Sequence, residues 1–410
     1  MSLMRALSTY AHVRSVPWRF RSRKALEDWQ ERRLASWLAE DVPEVAAFER
    51  VRSLSELPVM EKADLMTDFS RYNIAGITND MGWAAFAGEK QIGDLIVGAS
   101  TGTSGNRGLF VISQAERFAW LGAILAKCLP EFWRKRDRVA VLLPVNTPLY
   151  DSANSARALS LLFFDIGQPF EAVADDLVSF APTVIVAPPR MLRRLAEERV
   201  SITPRKIFAA AETLDPVDRP VIEAGFGLSV GQIYMATEGL LATTCAHGAL
   251  HLAEDCMHIE LEPRTGGLVT PVISDFNRRT QIMARYRMND LIRLDDAPCR
   301  CGSPLRRVAE VVGRQDDVFA LGGVQVTPDV LRNAIVDADR SINDFSLVQT
   351  DPDQVELGLA EVLPLAIKKH AQKAVERAIA RLGASAKVTL VTLQPHETGK
   401  LRRVRRDWKG

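Results

Sequence analysis

Four short apolar runs, RVAVLLP (138–144), PTVIVAPP (182–189), RKIFAAAE (205–212) and VGQIYMATE (230–238), recur between helical patterns such as PRMLRRLAEE (189–198). Runs this dense in Val, Ile and Ala, without polar alternation, suit strands buried on both faces. Their alternation with helices predicts parallel strands in an α/β sheet. Ligands of such sheets sit beyond the carboxyl ends of the strands. The polar residues that follow the runs, Asn146, Glu212 and Glu238, are therefore candidates for a site. So is Ser100–Ser104, after a further strand candidate, DLIVGAS (94–100).

A chain of 410 residues exceeds one ordinary core, and its texture changes after GRQDDVF (313–319). Beyond that point TPDVLRNAIVDA (327–338) reads as a helix and DFSLVQT and QVELGLAEV as strands. LAIKKHAQKAVERAIARLG (365–383) is a second helix closed by Gly383, and AKVTLVTL (386–393) a last strand. The expected division is 1–315, a large α/β domain, and 316–410, a small α+β domain. Within the first, SQAERFAWLGAILAKCL (113–129) is a helix with a capping box, Ser113 to Glu116.

A formal net charge of +1 supplies no global field toward nucleic acid or membrane. No apolar stretch approaches the roughly 18 to 20 residues that span a bilayer. Neither nucleic acid nor membrane is expected as a partner. The first acid is Glu27, after Arg5, Arg14, Arg19, Arg21 and Arg23, a transit-peptide-like composition. LEDWQERRLASWLAE, which follows, reads as an ordinary amphipathic helix. Five cysteines are too few and too odd for a disulfide framework, which points to a reducing compartment, the cytoplasm.

Four segments carry chemistry. In ASTGTSGNRG (99–108), Gly102, Gly105 and Gly108 free backbone N–H groups to converge on an anion, and Ser100, Thr101, Thr103 and Ser104 add hydroxyls. A solvated loop is the plain alternative. In YMATEG (234–239), Thr237 offers a hydroxyl and Glu238 a carboxylate for Mg²⁺; a helix start capped by Thr237 is the alternative. In YRMNDLIRL (286–294) and GRQDD (313–317), Asp290 can accept from two ribose hydroxyls and Arg314 can donate to sugar or phosphate; a surface ion pair is the alternative. In ETGKLRR (397–403), Lys400 follows a glycine turn and can deliver a point charge, or belong to a plain basic tail.

In this order the four segments resemble the adenylate-forming superfamily of acyl-CoA synthetases, peptide-synthetase adenylation domains and luciferases. Ser100–Gly108 resembles the phosphate loop [ST]-[ST]-G-[ST]-[ST]-G-x-x-K, Tyr234–Glu238 the Y-G-x-T-E element, and Tyr286–Leu291 the Y-x-T-G-D-L element. Gly313–Asp317 resembles the G-R-x-D-D hinge and Gly399–Lys400 the C-terminal G-K. PCRCG (298–302) before GRQDD, the short length and LPVMEKADLM (57–66) are similar to the phenylacetate-CoA ligase and coenzyme F390 synthetase branch. The departures are Gly108 in place of the loop lysine, with Arg107 beside it, Met235 and Ala236 for the glycine–aromatic stretch, and Asn289 before Asp290.

The resemblance implies a large adenylation domain with a small mobile C-terminal domain carrying Lys400. It implies ATP-dependent, Mg²⁺-dependent activation of a carboxylic acid to an acyl-adenylate, then transfer to a thiol. Ser100, Thr101, Gly102, Thr103, Ser104 and Gly105 would hold phosphates, with Thr237. Glu238 would bind Mg²⁺, Ala211 and Glu212 would line adenine beside Tyr234, and Asp290 and Arg314 would hold ribose. Lys400 would act in adenylation and Asp316 would be the hinge. The acceptor stays open between CoA and carrier-protein phosphopantetheine. Adenylyl transfer to a coenzyme hydroxyl, and a catalytically degenerate nucleotide- or acyl-binding regulator, are the alternatives. A homodimer is compatible with the resemblance.

YDSANSARALSLLFFDIG (150–167) falls where the family builds its acyl pocket, and Tyr150, Phe163 and Phe164 suggest an aryl acid, with plain core aromatics as the alternative. Four of the five cysteines lie between 245 and 301. Cys245, His251, Cys299 and Cys301 make a candidate structural Zn²⁺ set, with inert buried cysteine as the alternative.

Overall fold

The apolar runs form the parallel half of a large mixed sheet. Asp137–Leu143, Leu159–Asp165, Val184–Ala187, Lys206–Ala210 and Val230–Ala236 pair in parallel. The four strands predicted from those runs begin and end within two residues of the expected bounds. The protein is seen here as a computed structural model describing residues 2–100, 107–143, 159–394 and 400–408.

Period-two geometry explains why the middles of these strands are apolar at successive positions. Val139, Val141, Val184, Phe208 and Ile233 face a core shared with the Gln114–Cys128 helix. Ala140, Leu142, Ile185, Ile207 and Val230 face the opposite core, under helices Phe170–Phe180, Pro189–Glu197 and Asp218–Phe226. Both faces of the inner strands are covered, so these inward and outward positions are all apolar. The expected capping box is present: Glu116 N–H donates to Ser113 Oγ, and Ser113 N–H to Glu116 Oε2 at 2.6 Å. Such a cap contributes about 1 kcal/mol.

The Ser2–Arg19 helix crosses Gln114–Cys128 at Gly122, where a Cβ would lie 2.2 Å from the Ala6 carbonyl oxygen. Only glycine permits so close an approach. Among the described residues no helix is long and apolar enough to cross a membrane.

At Thr237–Glu238 the sheet changes character. Val230–Ala236 turns back and pairs antiparallel with Gly239–Thr244, Ala236 opposite Gly239. The pair thus occupies a hairpin turn rather than a helix start. Strands His258–Pro263, Val269–Ser274, Asp290–Asp295, Arg307–Arg314 and Leu250–Leu252 complete the antiparallel half.

A second core lies beyond residue 318. Lys387–Thr392, Gln354–Leu359, Phe345–Asp351 and Val404–Arg406 form a four-stranded sheet in that spatial order. Helices Pro328–Val336 and Leu365–Arg381 cover it, burying Phe319, Leu347, Leu357, Ala371 and Val375. Gly383 closes the longer helix with φ of 81°. The last strand, Val404–Arg406, runs parallel to Phe345–Asp351, and this pairing positions the preceding residues 400–403.

Candidate active site

One cavity of about 1250 Å³ opens at the carboxyl end of the parallel strands. Ser100, Ala211, Glu212, Tyr234, Thr237, Glu238, Asp290, Arg314, Asp316 and Lys400 all line it. They come from six separated chain segments.

Ser100 closes the base of the glycine loop. Strands Leu95–Ala99 and Leu109–Ile112 pair with Ala99 opposite Leu109. Ser100 N–H donates to the Gly108 carbonyl at 2.8 Å, and Gly108 N–H donates to Ser100 Oγ at 2.8 Å. Arg107 folds over the Trp83 and Phe86 rings. Thr101, Gly102, Thr103, Ser104 and Gly105 lie outside the described residues.

Glu238 is 8% exposed, and its Oε2 accepts from Thr237 Oγ1 at 2.8 Å. Burial, together with the Glu238 carboxylate, pushes the Tyr286 phenol far above its ordinary value. Tyr234 donates to Asp290 Oδ2 at 2.6 Å. Asp290 and Arg314 are register partners on neighbouring antiparallel strands, which aligns carboxylate and guanidinium on one edge of the cavity. Burial raises the Asp290 carboxyl above the usual carboxylate range, while the Tyr234 hydrogen bond and Arg314 oppose the rise.

Ala211 leaves the Lys206–Ala210 strand with φ of 67°, a left-handed turn that aims Glu212 inward. Glu212 Oε1 meets Arg190 Nε at 3.2 Å and accepts from Leu401 N–H at 3.4 Å; Oε2 is buried with no hydrogen-bond partner. Burial raises this carboxyl also.

Lys400 joins these groups. Burial lowers its pKa, Arg314 lowers it further, and Asp290, Glu212 and Glu238 pull in the opposite direction. One ammonium therefore shares a low-dielectric space with three carboxylates and one guanidinium. Asp316 sits at the rim, where Asn289 Nδ2 donates to its Oδ2 at 2.5 Å.

The two phenylalanines expected in the acyl pocket do not line this cavity. Phe164 is 5% exposed and packs on Phe180, in the core on the far side of the sheet. Leu159 and Leu161, of opposite parity to Phe164 on the same strand, line the cavity instead. Tyr150 lies outside the described residues.

Cys245, His251, Cys299 and Cys301 meet away from the cavity, their ligand atoms all within 4.8 Å of one another. Cys245 and Cys299 sulfurs are 3.7 Å apart, and Cys301 Sγ is 3.4 Å from His251 Nε2. His251 Nδ1 lies 3.0 Å from the Leu305 carbonyl, which as acceptor fixes the tautomer leaving Nε2 free to ligate. A tetrahedron with metal–sulfur bonds of about 2.3 Å has sulfur–sulfur edges of about 3.8 Å, so the donor set fits Zn²⁺.

Sequence reasoning missed a second set of residues. Arg403 is 7% exposed and donates to Asp218 at 2.7 and 3.0 Å and to Asp344 at 2.8 Å. Arg193 adds bonds to Asp218 (2.9 Å) and to the Asn343 carbonyl (2.7 Å). Arg402 pairs with Asp317. These contacts tie the 400–403 segment and the second core to the large sheet's helices. In the sequence Arg402 and Arg403 are two members of a basic cluster whose partners lie up to 185 residues away.

The architecture is found in solved proteins. A structure of 2-hydroxyisobutyryl-CoA ligase in its post-adenylation state superposes with a TM-score of 0.69 at 20% identity, covering 94% of this chain and 89% of that one. The chain has the adenylate-forming fold. Among sequence relatives, a phenylacetate-coenzyme A ligase of Pseudomonas putida is 26% identical over 261 residues, 58% of each chain. The chain therefore resembles the phenylacetate-CoA ligase branch of the adenylate-forming proteins over part of that relative's length. In its thioesterification state the 2-hydroxyisobutyryl-CoA ligase superposes with a TM-score of 0.53 at 19% identity, covering 98% of this chain and 89% of that one. No family model matches the chain.

Proposed function

We propose that this protein is an adenylate-forming acid–thiol ligase, which activates a carboxylic acid with ATP and passes the acyl group to CoA. The observation that carries the reading is the convergence of Lys400 with Glu212, Glu238, Asp290 and Arg314 in one cavity beside the base of the glycine loop. Asp290 accepts from the ribose hydroxyls, with Tyr234 fixing its orientation and Arg314 neutralising its charge. The orphaned Glu212 Oε2 accepts from the exocyclic amine of adenine, a donor that suits a buried acceptor.

Glu238 would hold Mg²⁺, which neutralises phosphate charge when bound; a single carboxylate beside a hydroxyl fits an ion that keeps several waters. The acid's carboxylate attacks the α-phosphorus and pyrophosphate leaves. Lys400 stabilises the charge that develops in that step, a term typically worth 10²- to 10³-fold in rate.

CoA as acceptor is supported by the relatives, which are named as CoA ligases. The better superposition on the post-adenylation state supports a conformation suited to the first half-reaction. Zinc at Cys245, His251, Cys299 and Cys301 would be structural. Five unpaired thiols suit a reducing compartment, the cytoplasm.

The test is pyrophosphate release from ATP with a panel of carboxylic acids, with CoA and a phosphopantetheinyl carrier as alternative acceptors. Release with at least one acid, lost in Lys400→Ala while the fold is retained, is expected. No release with any acid overturns the reading.

A further inference from the structure

The LPVMEKADLM stretch (57–66) places a lysine beside the glycine loop. Residues Lys62–Thr67 form a short helix, opened by a reciprocal cap between Glu61 and Asp64. The helix is pinned at both ends. At its start Met60 N–H donates to the Arg285 carbonyl at 2.9 Å, and Arg287 N–H donates to the Met60 carbonyl at 2.8 Å. Near its end Leu109 N–H donates to Met66 Sδ at 3.4 Å. Lys62 therefore leaves a fixed backbone between the Tyr286–Arg287 strand and the strand that follows the loop.

Its side chain lies across Gly108. A Cβ on that glycine would stand 3.3 Å from Lys62 Cδ and 3.4 Å from its Cγ and Cε. The ammonium is one bond beyond Cε, so it lies within about 5 Å of the same point. Gly108 N–H donates to Ser100 Oγ, the bond that closes the base of the loop. Gly108 is also where the resembled phosphate loop carries a lysine. The stem of Lys62 thus borders the space that a side chain at 108 would enter. The cation beside Gly108 in the chain, Arg107, is engaged with the Trp83 and Phe86 rings and the Ser100 carbonyl. Lys62 has no ion-pair partner among the described residues.

The surroundings suit an anion. Lys62 lines the main cavity, and with Gly108, Thr237, Glu238 and Arg278 it also borders a small recess beside it. Arg278 is 7% exposed and keeps Nη1 buried without a hydrogen-bond partner. A buried donor left unpaired calls for an acceptor. Two cations and the Thr237 hydroxyl here face a single carboxylate, Glu238.

A lysine ammonium is a compact point charge that donates to phosphate oxygens without a fixed fork geometry. We propose that Lys62 binds the β- and γ-phosphates of ATP, supplying from a neighbouring helix the charge that the glycine loop lacks at Gly108. Binding of AMP, which has neither phosphate, does not depend on it. This inference rests on the reading of the cavity as an ATP site.

The test is calorimetric binding of ATP with Mg²⁺, and of AMP, to the full chain, with KM for ATP and for the acid read from pyrophosphate release. In Lys62→Ala the affinity for ATP should fall roughly 10- to 100-fold, the worth of a hydrogen bond to a charged group. AMP binding and the KM for the acid should stay within about twofold, well inside one decade. Lys62→Arg, which keeps the charge, should lose less. The decisive arm moves the lysine. Lys62→Ala combined with Gly108→Lys puts the ammonium on the loop itself, in space that the shortened side chain vacates. Gly108 lies outside the left-handed φ range, so its backbone accepts the change. The double variant should recover most of the lost ATP affinity. ATP affinity within twofold of the parent in Lys62→Ala, equal loss for ATP and AMP, or a loss that the double variant at parental Tm does not reduce, overturns the inference. If no acid releases pyrophosphate but ATP binding depends on Lys62 in this way, the inference stands while the ligase reading fails. If pyrophosphate is released and Lys62→Ala leaves ATP binding intact, the reverse holds. No binding of ATP overturns both.

Discussion

Replacing Arg403 with methionine should separate the two half-reactions. Arg403 is the buried cation between Asp218 on the Asp218–Phe226 helix and Asp344 beside the second core. The Asp218 side chain is fully buried, and Asp215 lies 3.9 Å from Arg403 as well. Removing one partner of such a pair costs about 3 to 5 kcal/mol, because a charge is left buried and uncompensated. Arg193 still reaches Asp218 at 2.9 Å, so the low end, about 3 kcal/mol, applies here. That energy acts on the docking of residues 400–403, and at about 1.4 kcal/mol per decade it corresponds to roughly 10²-fold in the docked population. Where docking has some excess stability, the observed loss is smaller. A 10- to 100-fold fall in adenylation is therefore expected, read as acid-dependent pyrophosphate release. Conversion of preformed acyl-adenylate and CoA to thioester should change by less than about threefold, a margin far inside one decade. Adenylation within twofold of the parent, or parallel loss of both half-reactions, refutes the reasoning.

Three further outcomes follow from the site. Lys400 must be protonated to act, and burial followed by Arg314 holds its pKa below the ordinary 10.5. Adenylation should therefore be sustained at lower pH and decline as pH rises through that depressed value, and the rate–pH profile of Lys400→Met should lack this alkaline limb. Asp290→Asn should raise the KM for ATP by about 10- to 100-fold, the loss of one or two charge-assisted hydrogen bonds, and abolish discrimination between ATP and 2′-deoxy-ATP. Untagged protein should carry about one zinc per chain by elemental analysis, and Cys299→Ser with Cys301→Ser should remove the metal and lower Tm, because binding energy at such a site is folding energy.

The legible part of this molecule was set by short-range rules. Four of the five parallel strands could be read because their apolar residues pack on both faces, whereas the edge strand Leu159–Asp165 exposes Leu162, and the Ser113–Glu116 cap could be read because its partners are three residues apart. The Cys/His set was legible by residue type alone, although its members span 57 residues, because soft ligands are rare elsewhere in the chain. Phe164 was misassigned to the pocket since composition ignores parity; one residue along a strand reverses the face. Gly122 gave no signal, for the oxygen that excludes a side chain there belongs to Ala6, 116 residues earlier.

The closeness of Arg403 to Lys400 has an energetic consequence. The lowered pKa of Lys400 means that its charged form is less favourable when docked than when free, despite three neighbouring carboxylates. Docking this segment thus carries a penalty at the catalytic position. Three residues later Arg403, raised above the ordinary arginine value by Asp218 and Asp215 against its own burial, contributes in the opposite sense. The two positions act on one short rigid stretch, since Leu347 N–H holds the Arg403 carbonyl at 2.6 Å. Substitutions at the two sites should then move docking in opposite directions. Lys400→Met removes the penalty and should slow hydrogen exchange at Leu401–Val404, whereas Arg403→Met should accelerate it. The double variant should lie between them if the effects are independent. Faster exchange in Lys400→Met would show that its charge holds the segment in place, reversing the assigned sign.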